Sequence, residues 1–238
     1  MTLTRKSFIS SAALAASAAA LARGERSDAA MMAFNRAPVH FHILKEGEYD
    51  HAWMMKTLTT DAAHKQVFES VSPILIAPGV ASVYIHMQNA MNALQFSHGF
   101  SANSVATLAV LIGPSVVFAL NDKMWTKYRI GAALKLDKTN TYYISSSSLD
   151  LAASPDDPNG IYQDWSAEAV LKRGGAFMVC HNATTAVAGM LAGQLGIKPA
   201  DALADWSANM LPGFTFVPAG VAAVQLAQEN GWKIYTII

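Results

Sequence analysis

The chain has 238 residues, a single cysteine, and 17 basic residues balanced by 17 acidic ones. This length favours one domain with a sizeable core, and one cysteine excludes an intramolecular disulfide. A net charge near zero gives no electrostatic reason to expect a nucleic acid or an anionic membrane surface as partner.

The first 22 residues predict export. Arg5 and Lys6 precede an apolar, mostly alanine run over residues 12–22, which ends in the small-x-small sequence of residues 20–22. A charged start, a short apolar run and a small-residue end are typical of a secretory signal peptide, and the run is too short to span a bilayer. Residues 5–8, Arg-Lys-Ser-Phe, are similar to a twin-arginine signal, which makes that route preferred over general secretion. The predicted location is the periplasm or the medium, with no integral membrane segment left after cleavage. The alternative is an ordinary N-terminal helix.

The next segment, residues 23–63, carries no strong period and is predicted as an N-terminal extension that packs on the domain. It includes a possible strand at 37–43 and a possible helix at 49–58. Residues 65–71 then predict the first core strand. From Val80, apolar residues at helical spacing predict an amphipathic helix of about 17 residues. The near-continuous apolar run of residues 104–112 is typical of a strand buried on both faces of a parallel sheet.

The second half of the chain repeats this alternation of strand and helix. A helix is predicted over 122–134, with Asn121 or Asp122 as its N-cap. Residues 135–163 are rich in serine and turn residues and predict a long irregular surface excursion. The later predictions are a helix from Ser166 to 173, a strand at 175–180, helices at 183–195 and 199–210, a strand at 214–217, a helix at 220–230 and a last strand at 232–238. The order predicts an α/β fold with a parallel or mainly parallel sheet and helices on both faces.

Residues 174–183, GGAFMVCHNA, place glycine before a buried strand that ends in cysteine and continues into a helix. This segment resembles the DsrE/DsrF-like family, and two further C-terminal segments share the resemblance. Residues 211–221, LPGFTFVPAGV, resemble the family's Leu-Pro-Gly…Val-Pro-x-Gly-Val segment, and residues 225–231 before an apolar strand resemble its usual ending. Residues 118–128 are similar to a branch of exported members with twin-arginine leaders. The resemblance covers roughly residues 64–238.

The resemblance implies a five-stranded, mainly parallel sheet between helices, assembled into a homo-oligomer that is a dimer, trimer or hexamer. The best-understood members relay sulfur in the cytoplasm as a persulfide, on a cysteine that corresponds to Cys180. A small sulfur-containing ligand is therefore possible, while the resemblance assigns no cofactor. Predicted export, the His181-Asn182-Ala183 continuation and the 135–163 excursion depart from those relay proteins.

The candidate site residues follow from the strand ends, because ligands of parallel α/β sheets bind at the carboxyl ends of the strands. The candidates there are Gly113, Ser115, Cys180, His181, Asn182, Pro218 and Gly220. Cys180 would lie at a helix N-terminus, where the helix dipole favours a thiolate able to carry sulfur or attack an electrophile. The alternative is an inert buried thiol that packs like a small apolar side chain. His181 and Asn182 could equally cap the helix.

Other candidates also keep two interpretations. The turn Gly113-Pro114-Ser115 either holds an anion at the following helix or simply ends the strand. Asn121 with Asp122, Trp125 and Tyr128 either lines the crevice mouth or forms a helix cap and an apolar anchor. The pair His40-x-His42 suits a metal if it lies on a strand. The third ligand would be His64, His86 or His98.

Three functions remain open from the sequence. The preferred one is a small-ligand-binding or assembly module, because a single thiol without an evident acid–base pair is a weak basis for catalysis. The second is a periplasmic sulfur-relay protein that carries a persulfide on Cys180. The third is a metal-dependent enzyme that uses histidines. There is no glycine-rich dinucleotide fingerprint, nucleophile elbow or Cys-x-x-Cys motif.

Overall fold

The computed structural model describes residues 40–237, and the chain from Phe41 onward forms one compact unit. Seven strands run along it. They are β1 His64–Ser70, β2 Leu75–Ala77, β3 Val80–Ala81, β4 Val105–Leu111, β5 Ala176–Cys180, β6 Phe214–Val217 and β7 Lys233–Ile237. The short β2 and β3 form an antiparallel ribbon, and the other five form one parallel sheet in the order β6-β5-β4-β1-β7. The predicted α/β class with a five-stranded parallel sheet is therefore confirmed.

Eight α-helices are found among the described residues. They are α1 His51–Leu58, α2 Ser82–Asn92, α3 Asp122–Lys127, α4 Ile130–Leu134, α5 Ala167–Lys172, α6 His181–Gln194, α7 Pro199–Ala208 and α8 Gly220–Glu229. Short 3₁₀ segments cover Ala102–Ser104, Gly113–Ala119 and Ile161–Gln163, and a π-helical turn at Ala93–Ser97 extends α2.

The strand order decides which face each helix covers. The chain steps in one direction from β1 through β4 and β5 to β6, and then returns across the sheet to place β7 on the far side of β1. Because parallel crossovers are right-handed, reversing the direction of travel moves the connecting helix to the opposite face. The helices α2, α6 and α7 accordingly cover one face, and α8 covers the other together with α1.

Each central strand sends alternate side chains into two separate cores, as the two-residue period of a strand requires. In β4, Ala109 and Leu111 pack in the core beneath α2, α6 and α7, whereas Leu108 and Val110 pack beneath α1 and α8. Burial on both faces explains why this strand is an uninterrupted apolar run. Met54 and Leu58 of α1 belong to the second core, so this part of the predicted extension completes one face of the sheet.

Several elements differ from the sequence-based expectation. The helix expected from Val80 begins at Ser82, because Val80–Ala81 form β3. The helix predicted over 122–134 is divided into α3 and α4, because Arg129 adopts a left-handed conformation with φ 51° between them. The helix predicted over 183–195 begins two residues earlier, with Cys180 as its N-cap. Residues 40–43 form no strand, so the strand expected at 37–43 is wrong in that part.

The remainder of that strand, the predicted signal peptide and the rest of residues 23–39 lie outside the described residues. Between residues 40 and 237, no helix has the length and apolar character needed to cross a membrane.

Candidate functional site

The carboxyl ends of β5 and β6 form the topological switch point of the sheet. The chain leaves β5 through α6 on one face and leaves β6 through α8 on the opposite face. Neighbouring parallel strands with this arrangement open a crevice, which is the usual ligand site of open α/β sheets. Ile112, Cys180, Asn182, Pro218 and Gly220 meet here, and we call this region the carboxyl-edge crevice.

Cys180 occupies the position predicted for it, at the end of β5 and the start of α6. Its Sγ accepts a hydrogen bond from the amide of Ala183 at 3.3 Å, and its own carbonyl accepts one from the hydroxyl of Thr184 at 2.9 Å. The residue is only 5% exposed. The sulfur therefore lies at a helix N-terminus, but a reagent reaches it only if the surrounding chain opens.

The carboxyl-edge crevice is filled by the chain itself. A Cβ atom on Gly220 would lie 2.5 Å from Cγ1 of Ile112 and 3.1 Å from Cβ of Cys180, so only glycine allows α8 to begin this close to β5. The amide of Asn182 donates to the carbonyl of Pro218 at 3.4 Å, which ties α6 to the end of β6. The structure thus brings together the four predicted residues Cys180, Asn182, Pro218 and Gly220, and the start of α8 packs closely against Ile112 and Cys180.

Gly113 and Ser115 join the ends of β1 and β4. The buried Ser115 hydroxyl shares its hydrogen between the carbonyls of Ser70 at 2.5 Å and Ile112 at 2.8 Å, and it accepts from the Ile112 amide at 3.1 Å. Gly113 has φ 56°, and a Cβ there would lie 2.7 Å from the carbonyl oxygen of Val71. Their hydrogen bonds and close contacts are those of a structural turn.

Asn121 caps α3, in agreement with one of its two interpretations. Its Oδ1 accepts from the amide of Met124 and its Nδ2 donates to Oδ1 of Asn209, each at 3.2 Å. The buried Trp125 donates its indole N–H to the carbonyl of Val117 at 3.0 Å. The bond to Asn209 holds α3 against the chain after α7, the bond to Val117 holds it against the preceding 3₁₀ segment, and neither involves the carboxyl-edge crevice.

His181 is buried, with 8% of its surface exposed, and its ring lies edge-on to Phe216 at 5.5 Å between centroids. Its Nδ1 has no hydrogen-bond partner among the described residues. Burial lowers the pKa of His181, the nearby His42 lowers it further, and Glu48 opposes that change. The imidazole is therefore neutral at pH 7, and within the described part it makes no hydrogen bond to the Cys180 sulfur.

Three of the histidines considered as metal ligands, His42, His64 and His86, each contact another side chain. Nε2 of His42 pairs with Oε1 of Glu48 at 2.8 Å, the ring of His64 stacks on Phe100 at 3.8 Å, and the ring of His86 lies 5.1 Å from Tyr235. Across residues 40–237, no three histidine, cysteine, aspartate or glutamate side chains are grouped so that they could hold a metal ion. Residues 40–237 therefore offer no metal site to support the hypothesis of a metal-dependent enzyme that uses histidines.

An open cavity lies at the opposite edge of the sheet. A cavity of about 370 Å³ opens where α1 ends, where β4 and β5 begin, and where the chain enters β6 and β7. We call it the amino-edge cavity. The lining side chains that decide its chemistry are Trp53, Lys56, Thr57, Thr60, Thr107 and Trp232.

The two tryptophans provide the apolar wall of the amino-edge cavity. The indole N–H of Trp232 is already bonded to the carbonyl of Leu58 at 2.8 Å, which fixes that ring. The hydroxyl of Thr57 donates to the carbonyl of Trp53 at 2.9 Å, so it can only accept from a ligand. Sequence reasoning missed this site because it follows no motif, and the only signal was the tryptophans themselves.

Thr107, in β4, has a hydroxyl that is unusual for a buried group. The residue is 2% exposed, and its Oγ1 is buried without a hydrogen-bond partner in the described structure. Leaving a buried donor unpaired costs free energy, so Thr107→Val should raise the free energy of unfolding by about 1 kcal/mol. Equilibrium denaturation in urea measures the change.

Thr184→Val is the matched control for that measurement. Thr184 is also 2% exposed, but its hydroxyl donates to the carbonyl of Cys180 at 2.9 Å. Removing this bond should lower the free energy of unfolding by about 1 kcal/mol. A loss of stability in both variants would mean that the Thr107 hydroxyl has a partner, such as an ordered water, and would contradict the prediction.

The fold and these sites define a parallel α/β protein with a packed switch point and an open cavity at the amino edge of its sheet. A scan against protein-family models, a search of curated proteins and a search of solved structures find no match to this chain. The resemblance carried by residues 174–183 and 211–231 stays a prediction.

Proposed function

We propose that this protein is a small-ligand-binding module on a DsrE-like fold, and that the amino-edge cavity holds the ligand. The observation that carries the proposal is the cavity volume of about 370 Å³. Small-molecule sites are concave, few per protein and typically about 300–1,000 Å³ in volume. The carboxyl-edge crevice, by contrast, is occupied by Ile112 and Cys180 against the start of α8.

The residues around the cavity favour binding over catalysis. Its lining includes hydroxyls, one lysine and two indoles, and it includes no cysteine, histidine or carboxylate. A threonine hydroxyl is a weak nucleophile unless a base lies within hydrogen-bond reach. Export to the periplasm and assembly into a dimer, trimer or hexamer belong to the same proposal. Fractionation of cells and light scattering of the purified protein would test them.

The experiment for the binding function combines a probe panel with a variant that fills the cavity. Saturation-transfer NMR of the full chain is recorded with toluene, benzamide, benzoate and benzamidine, and we expect at least one of them to bind. Ala106 lines the cavity at the start of β4, so Ala106→Phe should abolish that signal. Ala152→Phe, at an exposed position in the 135–163 excursion, is the matched control and should leave the signal unchanged. Binding that survives Ala106→Phe would place the ligand elsewhere.

A second function, sulfur transfer through Cys180, is supported by the hydrogen bond from the Ala183 amide to its sulfur at 3.3 Å. In that function the thiolate attacks the outer sulfur of thiosulfate, an S–S bond forms on Cys180, and sulfite leaves with the electron pair of the broken S–S bond. The product is a persulfide, so the protein gains one sulfur and the atoms and charges balance. A cysteine at a helix N-terminus is a favourable place for the attacking thiolate.

The reactivity of Cys180 gives a further testable prediction. Because the residue is 5% exposed, a thiol reagent should modify the native protein on the order of 100-fold more slowly than the unfolded chain, as expected when local opening must come first. Ellman's reagent measures both rates. Mass spectrometry after incubation with thiosulfate then looks for an increase of one sulfur, with Cys180→Ser as control. Rapid labelling together with a sulfur adduct would favour the relay function over the binding function.

A further inference from the structure

The lining of the amino-edge cavity carries a positive charge and no negative charge to balance it. Lys56 lines it, and its lining includes neither aspartate nor glutamate. A second ammonium group lies beside it, because Nζ of Lys65 donates to the carbonyl of the lining residue Thr60 at 3.3 Å. Within residues 40–237, neither lysine forms a salt bridge with a carboxylate. The one charged side chain in the lining is therefore a cation.

The hydrogen-bonding groups of the amino-edge cavity also favour an anionic ligand. The hydroxyl of the half-buried Thr60 donates to no described protein atom. The hydroxyl of Thr57 and the indole N–H of Trp232 already donate to carbonyls, and the Thr107 hydroxyl is buried. The donors that remain for a ligand are thus one ammonium and one hydroxyl. Donors and positive charge together match an acceptor that carries negative charge, since charge-assisted hydrogen bonds are the strong ones.

We propose that the amino-edge cavity binds a small organic anion, a carboxylate on a flat apolar body. This inference rests on the proposed binding function and adds the chemical class of the ligand. The half-buried indole of Trp53 contacts the flat body, because a large rigid ring offers apolar area for stacking. Lys56 binds the carboxylate at the mouth, where its long side chain keeps the ammonium exposed.

The test compares three probes of nearly one shape that differ in charge. Isothermal titration of the full chain is carried out with benzoate, benzamide and benzamidine at millimolar concentrations. We expect benzoate to bind about tenfold more tightly than benzamide, and benzamidine to bind most weakly, because like charges repel in the site. The advantage of benzoate should shrink as salt is added, since the lysine is exposed and its field is screened.

The variant Lys56→Gln tests whether Lys56 causes the preference for benzoate over benzamide. It should reduce the affinity for benzoate about tenfold and leave the affinity for benzamide unchanged. Lys172→Gln, at an exposed position on α5 outside the lining, is the matched control and should change neither affinity.

The two possible failures are distinguishable. Equal binding of benzoate and benzamide, or a benzoate affinity indifferent to Lys56→Gln, overturns the anion preference and leaves the binding function standing. If none of the probes binds to the wild-type chain, the proposed binding function fails and the anion inference fails with it.

Discussion

Replacing Gln88 by alanine should lower the free energy of unfolding by about 3 kcal/mol, one of the largest effects expected in this protein. Gln88 is fully buried on α2, and its Nε2 donates to the carbonyls of Ile161 at 3.0 Å and Asp164 at 2.5 Å. Its Oε1 accepts from the guanidinium of Arg173. Alanine leaves the carbonyl of Asp164 and part of a cation unpaired, and it leaves the carbonyl of Ile161 with only the long bond from the Asp164 amide at 3.4 Å. It also opens a cavity.

The cost is high because Arg173 relies on amide oxygens for its solvation. Its guanidinium also donates to Oδ1 of Asn92 and Oε1 of Gln95, each at 2.6 Å, and it lies 4.7 Å from the ring centroid of Tyr162. Burial lowers the pKa of Arg173 to about 10, so the group is still charged at neutral pH. A half-buried cation without a carboxylate partner in the described structure depends on each of these acceptors.

Chemical denaturation of Gln88→Ala and Gln95→Ala tests this account. Gln95 belongs to the π-helical turn, is half-buried, and makes one bond to the same guanidinium. Its replacement should cost no more than about 1 kcal/mol, because water can replace the lost acceptor. Similar losses in the two variants would show that the buried carbonyls of Ile161 and Asp164 contribute little.

Replacing Asp164 by asparagine should also cost about 3 kcal/mol at neutral pH, because it disrupts a buried carboxylate that orders the serine run. Oδ2 of Asp164 accepts from the hydroxyl of Ser145 at 2.9 Å and from the amides of Ser146 at 3.1 Å and Ser147 at 3.2 Å. Oδ1 accepts from the amide of Ser166 at 2.9 Å. Asparagine has an NH₂ group in place of one carboxylate oxygen, so this donor must face either the donors at Oδ1 or those at Oδ2.

The effect of Asp164 should depend on pH. Burial alone would raise the pKa of this carboxyl, but the hydrogen bonds from Ser166, Ser145 and Ser147 outweigh it and lower the pKa below the usual 3.8. A lowered pKa in the folded state means that the ionised form stabilises the fold. This contribution is complete above the pKa of the unfolded chain and is lost as the pH falls through that of the folded protein. The difference in the free energy of unfolding between wild type and Asp164→Asn should therefore become smaller below about pH 4.

Free energies of unfolding at pH 7 and at several points between about pH 2 and 4 would measure this narrowing. Asp150→Asn is the control, since its exposed carboxylate lies in the 135–163 excursion that Asp164 orders and accepts one amide, from Ala152 at 2.9 Å. It should change stability by less than about 0.5 kcal/mol at any pH. A constant difference between wild type and Asp164→Asn across this range would contradict the assignment.

The regular elements were predictable because their signals are local. Residues 104–112 and 175–180 are apolar runs, since both faces of β4 and β5 are buried, and the structure places both strands within one residue of the prediction. The caps Asn121 and Ser166 were predictable from the sequence. Each side chain accepts a hydrogen bond from the amide three residues later, so it needs no distant partner. The position of Cys180 between β5 and α6 follows from the same local pattern.

The sequence predicted residues 135–163 as an irregular excursion, but it did not predict the hydrogen bonds that order this segment. Gln88 and Asn92 of α2 hold the carbonyls of residues 161, 162 and 164, far away in the sequence. A glutamine inside a helix pattern gives no sign that it will be buried. Its role depends on α2 and α5 packing on the same face of the sheet, and that in turn depends on the direction of the crossovers.

The sequence by itself determined the α/β class, the succession of strands and helices, and the strand-to-helix junction at Cys180, because periodicity, apolar runs and caps act between neighbouring residues. The tertiary structure alone decided that Cys180 packs against the start of α8 at the carboxyl edge and that a cavity opens at the amino edge. Trp53 and Trp232 stand near opposite ends of the described chain, and they meet only because β7 returns to pair beside β1. Proximity of this kind is set by sheet topology, which no local pattern of residues encodes.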